Sequence, residues 1–174
     1  MSIYVKSTSN SSNLIAHSSF NCLDIKLGTN STISNVSGSS SHPILNATSV
    51  EVIGHLFSSS SVNLTTSTVT IPEDGMYFIS LESIKWTVQL NKNEMLWTVI
   101  YTVDEKGNPR SRVGTSIDYV YIPSNTSIYT SVFCMPKLHR GDKIQPRVSK
   151  GGIQNSGTVS CNFSEAYLKV AYIV

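Results

Sequence analysis

The side chains that could carry catalytic chemistry are few and scattered along this chain. Its four histidines lie at positions 17, 42, 55 and 139, and no two of them have the spacing of zinc ligands. Serine is abundant, but no Gly-x-Ser-x-Gly segment of the kind that presents a nucleophile occurs. The sequence also contains no glycine-rich phosphate loop. These patterns predict a protein that is not an enzyme and that uses no metal and no other cofactor.

Two pairs of adjacent carboxylates are the remaining candidates for ion binding. Glu73 and Asp74 form one pair, and Asp104 and Glu105 form the other. Carboxylate oxygens in a loop can hold Ca²⁺, although weakly when so few are present. Both pairs stand among turn-forming residues, so we interpret them as solvated turn residues rather than as ligands.

The three cysteines are Cys22, Cys134 and Cys161. Their spacing fits no metal site, and an odd number leaves at least one thiol unpaired. Free cysteine packs as a small apolar side chain, so the sequence favours buried free thiols. A bridge between Cys134 and Cys161 remains a less favoured alternative.

Composition excludes several classes of partner. Only 14% of the 174 residues are charged, whereas about 25% is usual for globular proteins. The net charge is +2, from 13 basic and 11 acidic residues without a basic run, and nucleic-acid binding requires clustered cations. No apolar stretch approaches the roughly 18 residues that span a membrane, and the N-terminus lacks the apolar core of a signal peptide. We therefore expect a soluble protein without nucleic-acid binding, membrane insertion or an export signal.

The hydrophobic pattern predicts strands almost throughout. Runs rich in β-branched and aromatic residues alternate with turn signals, and no segment sustains a 3.6-residue apolar period. We predict one or two strands within residues 14–27, a polar stretch at 29–41, and a loop at 58–61. Further strands are predicted at residues 50–53, 62–68, 76–86, 95–103, 116–122, 127–134, 143–148 and 158–174. A turn is predicted at 104–109, and residues 123–125 are expected to separate two strands. Many short strands of this kind indicate an antiparallel sandwich or barrel.

Three segments occur in an order that resembles the tumour necrosis factor and complement globular-head superfamily. Residues 71–78 (IPEDGMYF) are similar to its Pro-x-x-Gly-x-Tyr entry into a central strand. Residues 138–144 (LHRGDKI) follow a strand and are similar to its Leu-x-x-Gly-Asp turn. Residues 162–168 (NFSEAYL) are similar to its closing strand. The resemblance implies an all-β, two-sheet antiparallel jelly roll that assembles as a trimer.

The turn residues in these segments have a physical role. Pro72 fixes its φ angle at a strand edge, and we expect Gly75 to let the chain turn without a Cβ clash. Gly141 and Asp142 predict a second tight reversal. The resemblance covers about residue 45 to the end, so we divide the chain into a polar attachment or linker segment, residues 1–41, and a jelly-roll domain, residues 42–174. The segment lacks a collagen-like stalk and a membrane anchor.

Members of the resembled superfamily pack one sheet of each subunit around a threefold axis, largely through aromatic side chains. Tyr129 and Phe133 share one face of a predicted strand, and Phe163 and Tyr167 share a face of another. We predict that these four residues form the trimer seam. The alternative is that some of them fill the interior of the sandwich.

Two functions are consistent with this reading. The leading hypothesis is a non-enzymatic trimeric structural and binding module on the surface of a virus particle: a bacteriophage capsid fibre, decoration protein or receptor-binding tip. Its N-terminal segment would contact other virion proteins, and its distal loops would attach to a glycan or protein of the host surface. The alternative is a secreted cytokine-like or complement-like ligand, or a lectin, that binds a receptor or glycan.

Overall fold

The structure, a computed structural model, describes residues 20–28, 31–33, 41–90, 95–118, 122–151, 159–162 and 166–173. These residues are nearly all extended, apart from a 3-10 turn at Ser59–Ser61. The strands, in chain order, are Asn21–Lys26 (β1), Ser31–Ile33 (β2), His42–Pro43 (β3), Ser49–Ile53 (β4), Val62–Asn63 (β5), Thr68–Thr70 (β6), Gly75–Leu90 (β7), Met95–Val103 (β8), Pro109–Asp118 (β9), Ile122–Cys134 (β10), Lys137–Leu138 (β11), Lys143–Gly151 (β12), Val159–Asn162 (β13) and Tyr167–Tyr172 (β14).

The strands form two antiparallel sheets, as the sequence predicted. The first sheet has the order β2-β13-β7-β14-β1-β4, with β10 and β11 pairing along the other edge of β7. The second has the order β5-β6-β12-β8-β9, with β3 added to β12. Several neighbours in these sheets are far apart in sequence, as in β1 with β14 and β6 with β12, which is the connectivity expected of a jelly roll.

The core lies between the two sheets because alternate residues of each strand point inward. In β7, Tyr77, Ile79 and Leu81 are fully buried. Facing residues of the second sheet, such as Ile100 and Ile144, are equally buried. The hydroxyls of Thr98 and Thr130 lie 2.8 Å apart in this interior and join the two sheets through a buried hydrogen bond.

The two turn motifs identified in the sequence dock against each other. The amide of Ile71 donates to the Asp142 carbonyl at 2.8 Å, and the amide of Gly141 donates to the Ile71 carbonyl at 2.9 Å. The Asp74 carboxylate accepts the amide of Arg140 at 2.7 Å, which is the main cause lowering the pKa of Asp74. The motifs therefore form one end of the sandwich together.

The two glycines of these motifs differ in backbone conformation. Gly141 has φ +87°, a conformation that other residues adopt at a cost. Gly75 opens β7, pairs with Leu138, and is not among the described glycines with positive φ. The expectation that Gly75 lets the chain turn without a Cβ clash stays a prediction.

Several predicted boundaries differ from the structure. Residues 62–68 form the start of a hairpin rather than one strand, because Ser67 has φ 51° and the chain reverses between β5 and β6. Residues 123–125 lie inside β10, at a register shift, and do not separate two strands. The strand predicted at 116–122 begins earlier, at Pro109. A proline is tolerated in this strand because β9 lies at the edge of its sheet. The long strand predicted at 158–174 is two strands, β13 and β14.

The strand expected within residues 14–27 is β1, and it is an inner strand of the first sheet, between β14 and β4. A boundary between residues 41 and 42 therefore does not separate β1 from the sandwich. The attachment role of the N-terminal segment stays a prediction.

Cys22 and Cys134 are free thiols, so the alternative of a Cys134–Cys161 bridge does not hold. Burial raises the pKa of both thiols, to about 11 for Cys134.

Candidate functional site

Large apolar side chains are exposed on the outer face of the first sheet. Tyr129 and Phe133 of β10 are each 62% exposed, Met135 just beyond it is 64% exposed, and Phe78 of β7 is 37% exposed. The rings of Phe78 and Phe133 lie 6.4 Å apart between centroids, so they pack on each other at the surface. We call Phe78, Tyr129, Phe133 and Met135 the aromatic patch.

The alternation of β10 explains why these rings face outward. Thr130 and Val132 are buried in the sandwich, at 3% and 1% exposure. Their neighbours Tyr129 and Phe133 must therefore lie on the opposite side of the strand. Since the inner face of this sheet already covers the core, the patch is surface that the described part of the protomer does not bury.

The structure places three of the four predicted seam residues on this face. Tyr167 is half-buried and pairs in register with Glu82 of β7, while its neighbour Leu168 points into the core. Phe163 lies outside the described residues. The sequence prediction omitted Phe78, although its position between the buried residues Tyr77 and Ile79 marks it as outward-facing. The role of these residues in assembly stays a prediction.

A row of charged groups crosses the same outer face beside the aromatic patch. The cross-strand neighbours that form this row are, in order, Ser80 of β7, Lys169 of β14, Asp24 of β1 and Glu51 of β4. Lys169 forms an ion pair with Glu82 at 3.3 Å, and Ser80 donates to the same carboxylate at 2.7 Å.

Asp24 has an unusual environment in this row. Its Oδ1 atom is buried and has no hydrogen-bond partner among the residues that the structure describes. Burial raises the pKa of Asp24, while the charge of Lys169 opposes the increase and the charges of Glu51 and Glu82 reinforce it. A buried carboxylate oxygen that accepts no hydrogen bond is costly to the fold.

A second candidate surface is a polar groove of about 570 Å³ on the outside of the second sheet. Its floor is formed by β6 and β12, and the turn that joins β8 to β9 covers one side. Lys143 on the floor forms an ion pair with Glu105 of that turn. The lining contains several hydroxyl and amide side chains, among them Ser60, Ser61, Asn63, Thr66, Thr68 and Thr70.

Arg147 lies next to this groove, on the same face of β12 as Lys143 and Gln145, and is only 7% exposed. Its guanidinium donates to the Gln145 side chain at 2.6 Å, the Gly107 carbonyl at 3.1 Å, the Ser41 hydroxyl at 2.9 Å and the Ser41 carbonyl at 2.6 Å. All four acceptors are neutral. Burial accordingly lowers the pKa of Arg147.

The described residues bring no three His, Cys, Asp or Glu side chains together as metal ligands. The aspartate of each carboxylate pair considered for Ca²⁺ accepts hydrogen bonds from turn amides. Asp74 accepts the Arg140 amide, and Asp104 accepts the amides of Lys106 and Asn108 at 2.9 and 2.8 Å. Within the part of the chain that the structure describes, no helix has the length and apolarity to cross a bilayer.

The fold is similar to solved structures of TNF-type proteins. Eiger TNF from S. frugiperda matches with a TM-score of 0.52 at 12% identity, covering 89% of this chain and 93% of that chain. Murine APRIL matches with a TM-score of 0.52 at 13% identity, covering 88% of this chain and 99% of that chain. No protein-family model and no curated protein sequence matches the chain. The fold is therefore a TNF-like jelly roll, as the sequence resemblance implied, and similarity at this level of identity shows the fold alone.

Proposed function

We propose that the protein is a non-enzymatic, cytokine-like or complement-like binding module that forms a homotrimer and engages a receptor outside the cell. The outer face of the first sheet would be the contact between subunits. The aromatic patch would lie at the centre of that contact, and Tyr167 would lie beside it. A receptor would then bind in the grooves between neighbouring subunits.

The exposed aromatic patch is the observation that carries this proposal. Rings that are 62% exposed, on a sheet whose other face is the core, form a surface that water solvates poorly. Exposed apolar surface such as the packed pair of Phe78 and Phe133 marks interaction sites on soluble proteins. Tyrosine, phenylalanine and methionine are also the residues enriched in the buried centre of interfaces.

The similarity in fold to Eiger TNF and APRIL favours the receptor-ligand reading. The composition, rich in serine, threonine and asparagine and only 14% charged, keeps a virion-surface module as the second candidate.

Trimerisation would also supply the mechanism of tight binding. Three identical sites on one rigid body make the second and third contacts intramolecular, so apparent affinity rises without new contacts. A low-charge surface provides little electrostatic steering. Avidity would therefore matter more for this protein than attraction at long range.

Light scattering on the eluting protein tests the assembly directly. We expect a mass of three times 19.0 kDa, and a species of 19.0 kDa at every concentration would contradict the proposal. Tyr129→Asp places a charge in the patch and should yield folded monomers. Thr115→Asp, on the exposed edge strand β9, adds the same charge elsewhere and should leave the trimer intact.

Receptor binding is tested by comparing those two variants on cells that bind the wild-type protein. Monomeric Tyr129→Asp should bind far more weakly than Thr115→Asp, because avidity is lost. Equal binding by both variants would contradict the avidity mechanism. A gene that lies beside capsid or tail genes would instead favour the virion candidate.

A further inference from the structure

We propose that the polar groove on the second sheet binds an acidic saccharide, a hydroxyl-rich ring that carries a carboxylate or sulfate. The groove lies on the sheet opposite the aromatic patch and within one protomer. This proposal therefore goes beyond the proposed trimer and does not depend on it.

Charge is the first observation that favours an anion. Lys106 and Lys143 line the groove, and Arg147 lies next to it, bonded to the lining residue Gln145. Of the two carboxylates in the lining, Glu105 is paired with Lys143, and Asp104 accepts three hydrogen bonds within its own turn. The two carboxylates balance the two lysines of the lining, so the uncompensated positive charge is that of the adjacent Arg147.

Because Arg147 is buried, its positive charge destabilises the fold unless an anion lies nearby. A buried guanidinium is normally compensated by a carboxylate, since desolvation of an unpaired charge destabilises the fold. All four of the hydrogen-bond acceptors given above for Arg147 are neutral, and two of them, Gln145 and Gly107, line the groove. An anion bound against these residues would supply the missing negative charge at short range.

The lining favours a saccharide over a simple anion. Ser, Thr and Asn side chains donate and accept hydrogen bonds as sugar hydroxyls do. Arg147 holds the Gln145 side chain in one orientation, because Gln145 accepts from Arg147 and donates to the Thr66 carbonyl at 2.8 Å. Such fixed polar groups give orientation to a ligand at little entropic cost. The groove of about 570 Å³ falls within the range of small-ligand sites and has room for roughly one or two sugar rings.

The lining also argues against other anionic ligands. It contains no aromatic side chain on which a nucleobase could stack. Its apolar members, Val62 and Val103, offer only small surfaces to a fatty acid. A ring with many hydroxyls and one acidic group matches both the polarity and the charge.

Saturation-transfer NMR and backbone chemical-shift mapping test the proposal on the full chain. The probes are N-acetylneuraminic acid, glucuronic acid, galactose 6-sulfate, neutral galactose and sodium acetate. We expect saturable binding of at least one acidic sugar, with shifts centred on Thr70 and Lys143, and much weaker binding of galactose and acetate. The carboxylated and sulfated probes distinguish the two sources of negative charge.

Two variants and a matched control make the test specific. Lys106→Gln removes an exposed cation of the groove and should weaken the acidic sugar about tenfold, the loss expected for one charge-assisted hydrogen bond. Gln145→Glu places a carboxylate beside Arg147 and should abolish binding of the acidic sugar, with circular dichroism confirming the fold. Lys137→Gln removes an exposed cation from β11, remote from the groove, and should change nothing.

Each remaining outcome would overturn the proposal. These outcomes are no saturable binding of any acidic sugar, equal binding of galactose or acetate, shifts that map elsewhere, or unchanged affinity in Lys106→Gln and Gln145→Glu. Since every readout is made within a protomer, a monomeric wild-type protein that binds the acidic sugar would contradict the trimer and leave this site standing.

Discussion

Replacing Phe133 with alanine should weaken the proposed trimer by an amount that follows from its exposure. A phenylalanine side chain has about 200 Å² of surface, and 62% of it is exposed in the protomer, which leaves roughly 125 Å² for an interface. At ~25 cal/mol/Å² this area is worth about 3 kcal/mol per subunit. Alanine retains a small part of that area, so we expect a loss of about 7 kcal/mol per trimer. That loss raises the trimer dissociation constant about 10⁵-fold and the midpoint concentration about 300-fold.

Sedimentation equilibrium over a wide concentration series measures this shift. Leu64→Ala is the matched control, because Leu64 is 39% exposed on the turn between β5 and β6, away from the first sheet. Differences between variants are the appropriate test, since area does not convert directly to total affinity. A Phe133→Ala protein that dissociates at the same concentration as the Leu64→Ala protein would refute the placement of the seam.

Three further predictions concern stability. The folded state binds a proton at Asp24 more tightly than the unfolded chain does, because burial raises the pKa of this group above 3.8 and Lys169 only partly opposes that effect. The free energy of unfolding should therefore fall as pH rises through the interval above 3.8. Asp24→Asn should remove this fall and should be more stable than the wild-type protein in urea titrations at neutral pH. A less stable variant would mean that attraction to Lys169 dominates. Thr98→Val and Thr130→Val should each lower the free energy of unfolding by about 1–2 kcal/mol, because each change leaves one buried hydroxyl without the hydroxyl that it contacts. The double variant should lose less than the sum of the two losses, and strict additivity in denaturant unfolding would contradict this. Gly141→Ala should lower the free energy of unfolding by about 1 kcal/mol, because an alanine at φ +87° is strained although its Cβ meets open space. An unchanged melting temperature would show that the turn relaxes.

Strong local patterns were sufficient to predict several elements. The strand predicted at residues 95–103 is β8 to the residue, because a dense run of β-formers ends at a turn that Asp104 closes. The turn motifs at Pro72 and at Gly141 were also identifiable, since turn chemistry is local. Predictions failed where a strand bends without ending. Pro123 signalled a break, yet pairing with β7 carries β10 through that position at a register shift.

The candidate surfaces divide in the same way. Period-two alternation assigns Tyr129 and Phe133 to one side of β10, and this needs only the sequence. Which side faces the core depends on what packs above and below the sheet, so exposure had to be seen in the structure. The groove gave no sequence signal, because Gly107 and Arg147 are 40 positions apart and meet only when the β8–β9 turn folds over β12.

By itself, the amino-acid order determined that the chain is built from antiparallel strands with tight, specifically placed reversals. Those properties arise from side-chain period and backbone preference over a few neighbouring residues. Only the three-dimensional arrangement decided that a cation is buried among neutral acceptors and that aromatic rings remain in water. Both follow from contacts between distant segments, and the free energy of such contacts is not encoded in any short stretch of the chain.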